Sequence, residues 1–361
     1  MPLLPLAGHE AERDLARRAL AAGRLPQILL LTGPNGVGKQ RFGLWLAQLL
    51  FCTGDGARPC GACQPCQRVA GLSHPDLHWI MPVLRPKATD PEKQVEEVAE
   101  AIAAVIEERR SHPLYQAPDG MAGHFVATAR MLQRRAALTP VAGSRKVFLV
   151  AEADRLVSQE ASPEAANALL KLLEEPSANS QFILTAVDPN RLLPTIRSRA
   201  VPLRLGRLSN GELKGFIGSH LGLEGSALQE RVAAAQGSIG RAISLGEESN
   251  KGYRAAEELL RAIGAGAAAR SERAMKQGPW AARGDFTAML DALAMLLAEG
   301  GRAASGLALA RPMPETLARP RPPQAFVAAL GHVAATREAA QGNVNPQLLL
   351  ATLADDLAEV L

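Results

Sequence analysis

Apolar residues recur along this chain with two different spacings. Between positions 28 and 205 they form short continuous runs, ILLL (28–31), DLHWIM (76–81), KVFLVA (146–151), QFILTA (181–186) and VPLRL (201–205), each bounded by turn-forming residues. Runs of that length predict strands, and KVFLVA, continuously apolar, is what a parallel sheet buried on both faces requires. Between and before the runs the spacing is helical. Leu15, Ala16, Ala19 and Leu20 mark a short helix over 13–22, and Gly23-Arg24-Leu25-Pro26 turns it into the first strand. Phe42, Trp45, Leu46, Leu49 and Leu50 mark the next. Further helices are predicted over 92–109 and 125–137, over 162–173 behind the cap Ser162-Pro163-Glu164, and over 188–197. Strands alternating with helices predict a doubly wound α/β domain with a parallel sheet, ending near Leu205.

From Ser209 onward the strand signal stops. Helices over 209–221, 228–235 and 238–245 predict a small bundle, and 253–361 reads as Ala/Leu-rich helix broken by RPMPETLARPRPP (311–323). That break is read as a solvated connection between helices in preference to a polyproline ligand. A chain of 361 residues suits two or three domains, here 1–207, 208–250 and 251–361.

Composition narrows the class. Hydrophobic residues make up 47% and charged ones 21%, no apolar run reaches membrane-span length, and MPLLPLAGHE lacks the pattern of a signal peptide. A cytoplasmic globular protein is expected. A net charge of +4 permits contact with nucleic acid without demanding it, and 4% aromatics argue against a base-stacking surface.

The chemistry begins where the first strand ends. Gly33-Pro34-Asn35-Gly36-Val37-Gly38-Lys39 follows an apolar strand and opens a helix, which is the pattern of a Walker A phosphate loop. Glycines allow backbone N–H groups to converge on phosphate oxygens, and Lys39 supplies a charge for the outer phosphates. The next position normally carries a Ser or Thr hydroxyl that binds Mg²⁺; here it is Gln40. The alternative is a glycine-rich turn that binds nothing.

All four cysteines fall within fifteen residues, as Cys52, Cys60, Cys63 and Cys66. In a reducing compartment such spacing points to four thiolates around one structural Zn²⁺, in a knuckle (52–66) turned by Gly54, Gly56, Pro59, Gly61 and Pro65. Reactive or spare cysteines are the alternative. His74 and His78 are read as ordinary turn and strand residues, and no chemistry is assigned to 82–145.

Several motifs coincide: GPNGVGK (33–39), the four-cysteine insert, VFLVAEADRL (147–156), NALLKLLEEP (167–176), FILTAVDPNRLLPTIRSRA (182–200) and GSIGRAI (237–243). Together these resemble the AAA+ subunits of the bacterial DNA polymerase III clamp loader, with departures most like the delta-prime type. The resemblance implies an AAA+ domain, a small helical lid and a helical collar for oligomerisation. It also implies a hetero-oligomer with gamma/tau motor subunits and a clamp-opening delta subunit, which places a sliding clamp on primed DNA. Where active members carry an Asp-Glu pair this chain has Ala151-Glu152. Glu152 is retained, and with both Gln40 and Ala151 present binding of Mg²⁺ is doubtful and hydrolysis is expected to be crippled, while ATP or ADP binding remains possible. Thr185 and Arg241 fall where the family keeps two nucleotide sensors. Arg199 of the Ser198-Arg199 pair falls where the family's arginine finger enters a neighbour's ATP site; alone it would read as a surface arginine in an ion pair. The rivals are an active gamma/tau-like ATPase and a zinc-dependent DNA-binding protein.

Overall fold

The computed structural model describes residues 3–111, 122–156, 164–244, 249–277, 283–307, 313–340 and 344–361. They form two compact units. One comprises the described residues up to 223 together with 236–240, and the other comprises 224–235 and those from 241 onward.

The first unit is built on a parallel sheet of β1 (Ile28–Thr32), β2 (Leu77–Ile80), β3 (Lys146–Val150), β4 (Ser180–Ala186) and β5 (Val201–Arg204), in the order β2-β3-β4-β1-β5. The five apolar runs are these five strands. Leu29 and Leu31 face one side with Phe42, Leu46, Val147 and Leu149, while Ile28 and Leu30 face the other with Phe148, Phe182 and Leu132. Burial of β1, β3 and β4 on both faces is why their runs are continuously apolar, whereas the edge strands β2 and β5 are partly exposed and carry His78 and Arg204. Register aligns Thr32 with Ala186 and Val150 with Leu184, so β1, β3 and β4 end along one edge. Loops at that edge are where a doubly wound sheet places a ligand.

Around the sheet lie α1 (Glu10–Ala21), α2 (Lys39–Phe51), α3 (Gln64–Ala70), α4 (Pro91–Ser111), α5 (Val126–Ala137), α6 (Glu164–Glu174) and α7 (Pro194–Arg197). Helix α3 is not anticipated by the sequence reading. Pro65, read there as a turn residue, sits in its first turn, where the missing N–H costs nothing. The helix expected over 188–197 is instead a 3-10 turn (Pro189–Arg191) and the single turn α7. Pro194 forces the residue before it out of helical geometry, and Leu193 has ψ 138. The Ser162-Pro163 cap falls outside the described residues.

Helix α8 (Asn210–Leu221) closes the first unit, opened by a capping box in which Ser209 Oγ accepts the Glu212 N–H. Helices α9 (Gly225–Ala235) and α10 (Ile239–Ser244) follow. The second unit packs α11 (Ser249–Ala265), α12 (Ala267–Met275), α13 (Arg283–Ala304), α14 (Pro323–Ala339) and α15 (Pro346–Val360) around Leu259, Leu290, Phe326 and Leu353. The connection at 313–322 is not simply solvated. Its 3-10 turn Glu315–Leu317 inserts Leu317 into that core, and Arg321 anchors it to the carbonyls of Thr316 and Leu361. Among the described residues no helix is long and apolar enough to cross a membrane.

Candidate functional site

The phosphate loop leaves β1 at Gly33, whose φ of +146° and whose approach to Leu205 exclude a side chain: a Cβ there would stand 2.2 Å from the Leu205 carbonyl oxygen. Gly36 and Gly38 also have positive φ, of 72° and 106°. Lys39 begins α2 with its side chain buried and its Nζ donating to the carbonyls of Gly33 and Pro34, both at 2.8 Å. Burial lowers its pKa to about 8 against the pull of the Asp154 and Glu152 carboxylates. Gln40 Oε1 is buried without a hydrogen-bond partner, and the side chain offers no metal-binding hydroxyl. His9 Nε2 lies 2.8 Å from the Val37 carbonyl oxygen.

Residues of the GSIGRAI motif rest directly on the loop. Ser238 Oγ donates to the Asn35 carbonyl at 3.0 Å, and the Gly240 N–H donates to the Gly36 carbonyl at 2.9 Å. A Cβ on Gly240 would approach Gly36 Cα to 2.8 Å, so this contact requires glycine. Arg241, the next residue, belongs to the second unit on α10.

The tips of β3 and β4 bring the other candidates together. Glu152 has a left-handed backbone (φ 49°), and its N–H donates to Thr185 Oγ1 at 2.9 Å. A left-handed conformation costs a non-glycine residue of order 1–3 kcal/mol, so surrounding contacts must hold it. Burial raises the Glu152 pKa, opposed by the Arg155 guanidinium beside it. Three residues with no role in the sequence reading also act here. Asp154 Oδ2 accepts the N–H groups of Val187 and Asp188 at 3.1 and 3.2 Å, joining the two tips, while its Oδ1 is buried without a hydrogen-bond partner. Arg155 pairs with Glu152 at 2.6 Å. His124 Nε2 donates to the Ala151 carbonyl at 2.7 Å, and burial lowers its pKa to about 4, so the ring is neutral. The signal for Asp154 and Arg155 was present in VFLVAEADRL, whereas a single histidine ahead of a helix gave none for His124.

The four cysteines do converge. One sulfur from each of Cys52, Cys60, Cys63 and Cys66 lies within 4.8 Å of all the others, with Cys63 and Cys52 at 3.9 Å. Tetrahedral Zn²⁺ with bonds of about 2.3 Å separates its sulfurs by about 3.8 Å, so the set fits a closed four-thiolate site. Backbone N–H groups of Cys60 and Cys63 already point at the sulfurs of Cys52 and Cys60, at 3.4 and 3.3 Å. Burial, and then the neighbouring Cys63 thiol, push Cys66 up, the strain that a bound cation relieves. The knuckle is tied to the body by Arg17 Nε donating to the Arg58 carbonyl at 2.9 Å.

Arg199 stands apart from this cluster, just after α7. Its guanidinium donates to the Thr195 carbonyl and to Glu174 Oε1, both at 2.8 Å, with about a third of its side chain exposed.

Comparison with known proteins agrees with this arrangement of motifs. Residues 8–209 match the family described as "DNA polymerase III, delta subunit". "DNA polymerase III subunit delta'" of Pseudomonas aeruginosa is 35% identical over 173 residues, covering 48% of this chain and 40% of that protein. The protein of the same name from Bacillus subtilis is 29% identical over 189 residues, covering 52% and 45%. "DNA polymerase III subunit tau" of Escherichia coli is 28% identical over 250 residues, covering 68% of this chain and 32% of that one. The matched region is thus less than half the length of each of these relatives. With the family matched over more than half of its 361 residues, the chain belongs to the DNA polymerase III delta-subunit family of clamp-loader proteins.

Proposed function

We propose that the chain is a delta-prime-type subunit of a DNA polymerase III clamp loader, which binds nucleotide with little hydrolysis and supplies Arg199 to a neighbouring subunit's ATP site. The observation that carries this reading is the asymmetry of its own loop. Lys39 and the glycine backbone can hold phosphates, yet Gln40 and Ala151 offer no hydroxyl or carboxylate for Mg²⁺. Phosphoryl transfer depends on that ion to neutralise developing charge. Arg199 is at the surface, on a fixed turn, where a partner can reach it.

In this reading Thr185 senses nucleotide through Glu152, and Arg241 reaches the outer phosphate. Cys52, Cys60, Cys63 and Cys66 hold a structural Zn²⁺. Domains 1–207, 208–250 and 251–361 serve as ATP-binding core, lid and oligomerising collar. Gamma/tau motors, a delta subunit, the sliding clamp and primed DNA are the partners, in the cytoplasm. The second reading, a gamma/tau-like motor, draws on the retained Lys39 and Glu152 and on the similarity to the tau subunit over 250 residues. Titration calorimetry and turnover measured on the isolated chain separate them: ATP bound without turnover supports the first, and robust Mg²⁺-dependent turnover supports the second.

A further inference from the structure

Glu152 is the one retained residue of the hydrolytic pair, and the chain already occupies it. After its left-handed turn the backbone enters a 3-10 turn, Ala153–Leu156, in which the Arg155 N–H donates to the Glu152 carbonyl at 2.9 Å. Positions three apart eclipse in such a turn, so the Arg155 side chain is delivered to its own turn's start. Arg155 Nε stands 2.6 Å from Glu152 Oε2, with the carboxylate side chain about one-fifth exposed.

The guanidinium is held from its other end as well. Its Nη1 donates to the Ala122 carbonyl at 3.2 Å. Ala122 is fixed in turn, because Gly123 exchanges backbone hydrogen bonds with Val83 at 2.9 and 3.1 Å and His124 is anchored on the Ala151 carbonyl. The residues just before α5, to which the sequence reading gave no role, therefore form the far jaw of a clamp on Glu152. A carboxylate that takes a proton from water needs a free oxygen and enough basicity, and a guanidinium at contact distance removes part of both.

We propose that Arg155 is a positioning residue that keeps Glu152 engaged as an ion pair, a brake within the chain that lets the loop hold a nucleoside triphosphate without hydrolysing it. This rests on the reading of the loop as a nucleotide site. It adds to the missing metal ligands a second barrier: restoring the ligands alone leaves the base restrained. The charged groups acting on the Glu152 carboxyl are Arg155, Asp154 and Lys39, and Arg155 pairs with it directly at 2.6 Å.

The test uses the full chain in three forms: Gln40→Thr with Ala151→Asp, that pair with Arg155→Gln, and that pair with Arg155→Lys. ATP binding is measured by calorimetry, turnover by phosphate release, and the Glu152 carboxyl titration by ¹³C NMR, assigned with Glu152→Gln. The brake predicts that Arg155→Gln raises turnover about tenfold or more, up to the 10²–10⁴ that a positioned base contributes. It also predicts that the Glu152 carboxyl titrates at higher pH, as loss of an adjacent opposite charge gives, with Arg155→Lys much closer to the parent in both. ATP bound with turnover and titration unchanged by Arg155→Gln overturns the brake alone. Failure of every form to bind ATP overturns the nucleotide reading, and the brake with it.

Discussion

The Arg199 guanidinium and the Glu174 carboxylate form an ion pair across 2.8 Å, linking the turn after α7 to the end of α6. Glu174 lies in the LLEEP segment, and both side chains are substantially exposed, 35% and 47%. In such exposure an ion pair contributes at most about 1 kcal/mol. A phosphate-rich partner site can therefore draw Arg199 away at small cost, while the Thr195 carbonyl still marks where its turn must sit. Glu174→Ala is expected to lower the free energy of unfolding by no more than about 1 kcal/mol, read as the shift in a urea midpoint at constant slope. A loss several times larger would mean that the pair is a structural fastening.

Nucleotide affinity should depend on pH through Lys39. Its pKa in the free chain is lowered to about 8 by burial, and bound phosphates favour the charged form. Linkage then requires affinity to fall as pH rises through about 8, because ATP must restore a proton that the free chain has lost. Between pH 7 and pH 9 the fall attributable to Lys39 is about tenfold. Calorimetry at both values checks this, and Lys39→Ala should remove binding at each. The same lowered pKa costs stability in full below about pH 8, and that cost is relieved as pH rises from about 8 to the unfolded value.

Metal removal should act locally. Four thiolates around Zn²⁺ contribute of order 10 kcal/mol to a small unit, and the knuckle has little apolar core of its own beyond Cys66 and Val69. Cys63→Ser, or a strong chelator, should release about one zinc per chain and open residues 52–66 to proteolysis. The sheet and its two apolar faces should remain folded by circular dichroism. Elemental analysis well below one zinc per chain, in protein purified without chelators, would contradict the assignment.

Gly240→Ala tests how the loop is held. Its new methyl would meet Gly36 Cα at 2.8 Å, backbone against backbone, with no flexible side chain to yield. A destabilisation of about 1–3 kcal/mol is expected, together with weakened ATP binding as residues 238–240 lift off Asn35 and Gly36. Unchanged ATP affinity would show that this contact does not shape the loop.

Much of the first unit was legible in the sequence because its central strands β1, β3 and β4 are buried on both faces and so appear as apolar runs. The glycine-rich turn at 33–39 and the convergence of the four cysteines were legible because both depend on local spacing. The clamp on Glu152 was not. It joins Ala122 and His124 to Ala151 and Arg155 across about thirty residues of chain, and no local periodicity records such a contact. Helix α3 was hidden because Pro65 serves equally in a turn or in a first helical turn. The expected helix over 188–197 broke at Leu193 because the effect of Pro194 on its predecessor outweighs the apolar pattern. Leu317 was missed for the opposite reason, a single apolar anchor within a proline-rich stretch that otherwise looks solvated.

Whether this chain acts on a neighbour's nucleotide through Arg199 is decided by the steady-state ATPase of a reconstituted complex carrying Arg199→Ala. An arginine supplied in trans contributes about 10³–10⁵ in rate at the site it enters, and a lysine lacks the planar fork that replaces it. That complex should assemble, checked by gel filtration, with normal zinc and ATP binding in this chain. The adjoining motor site should lose its stimulated hydrolysis, with little rescue by Arg199→Lys. Full stimulated activity in a correctly assembled Arg199→Ala complex would contradict it and leave Arg199 as the surface partner of Glu174.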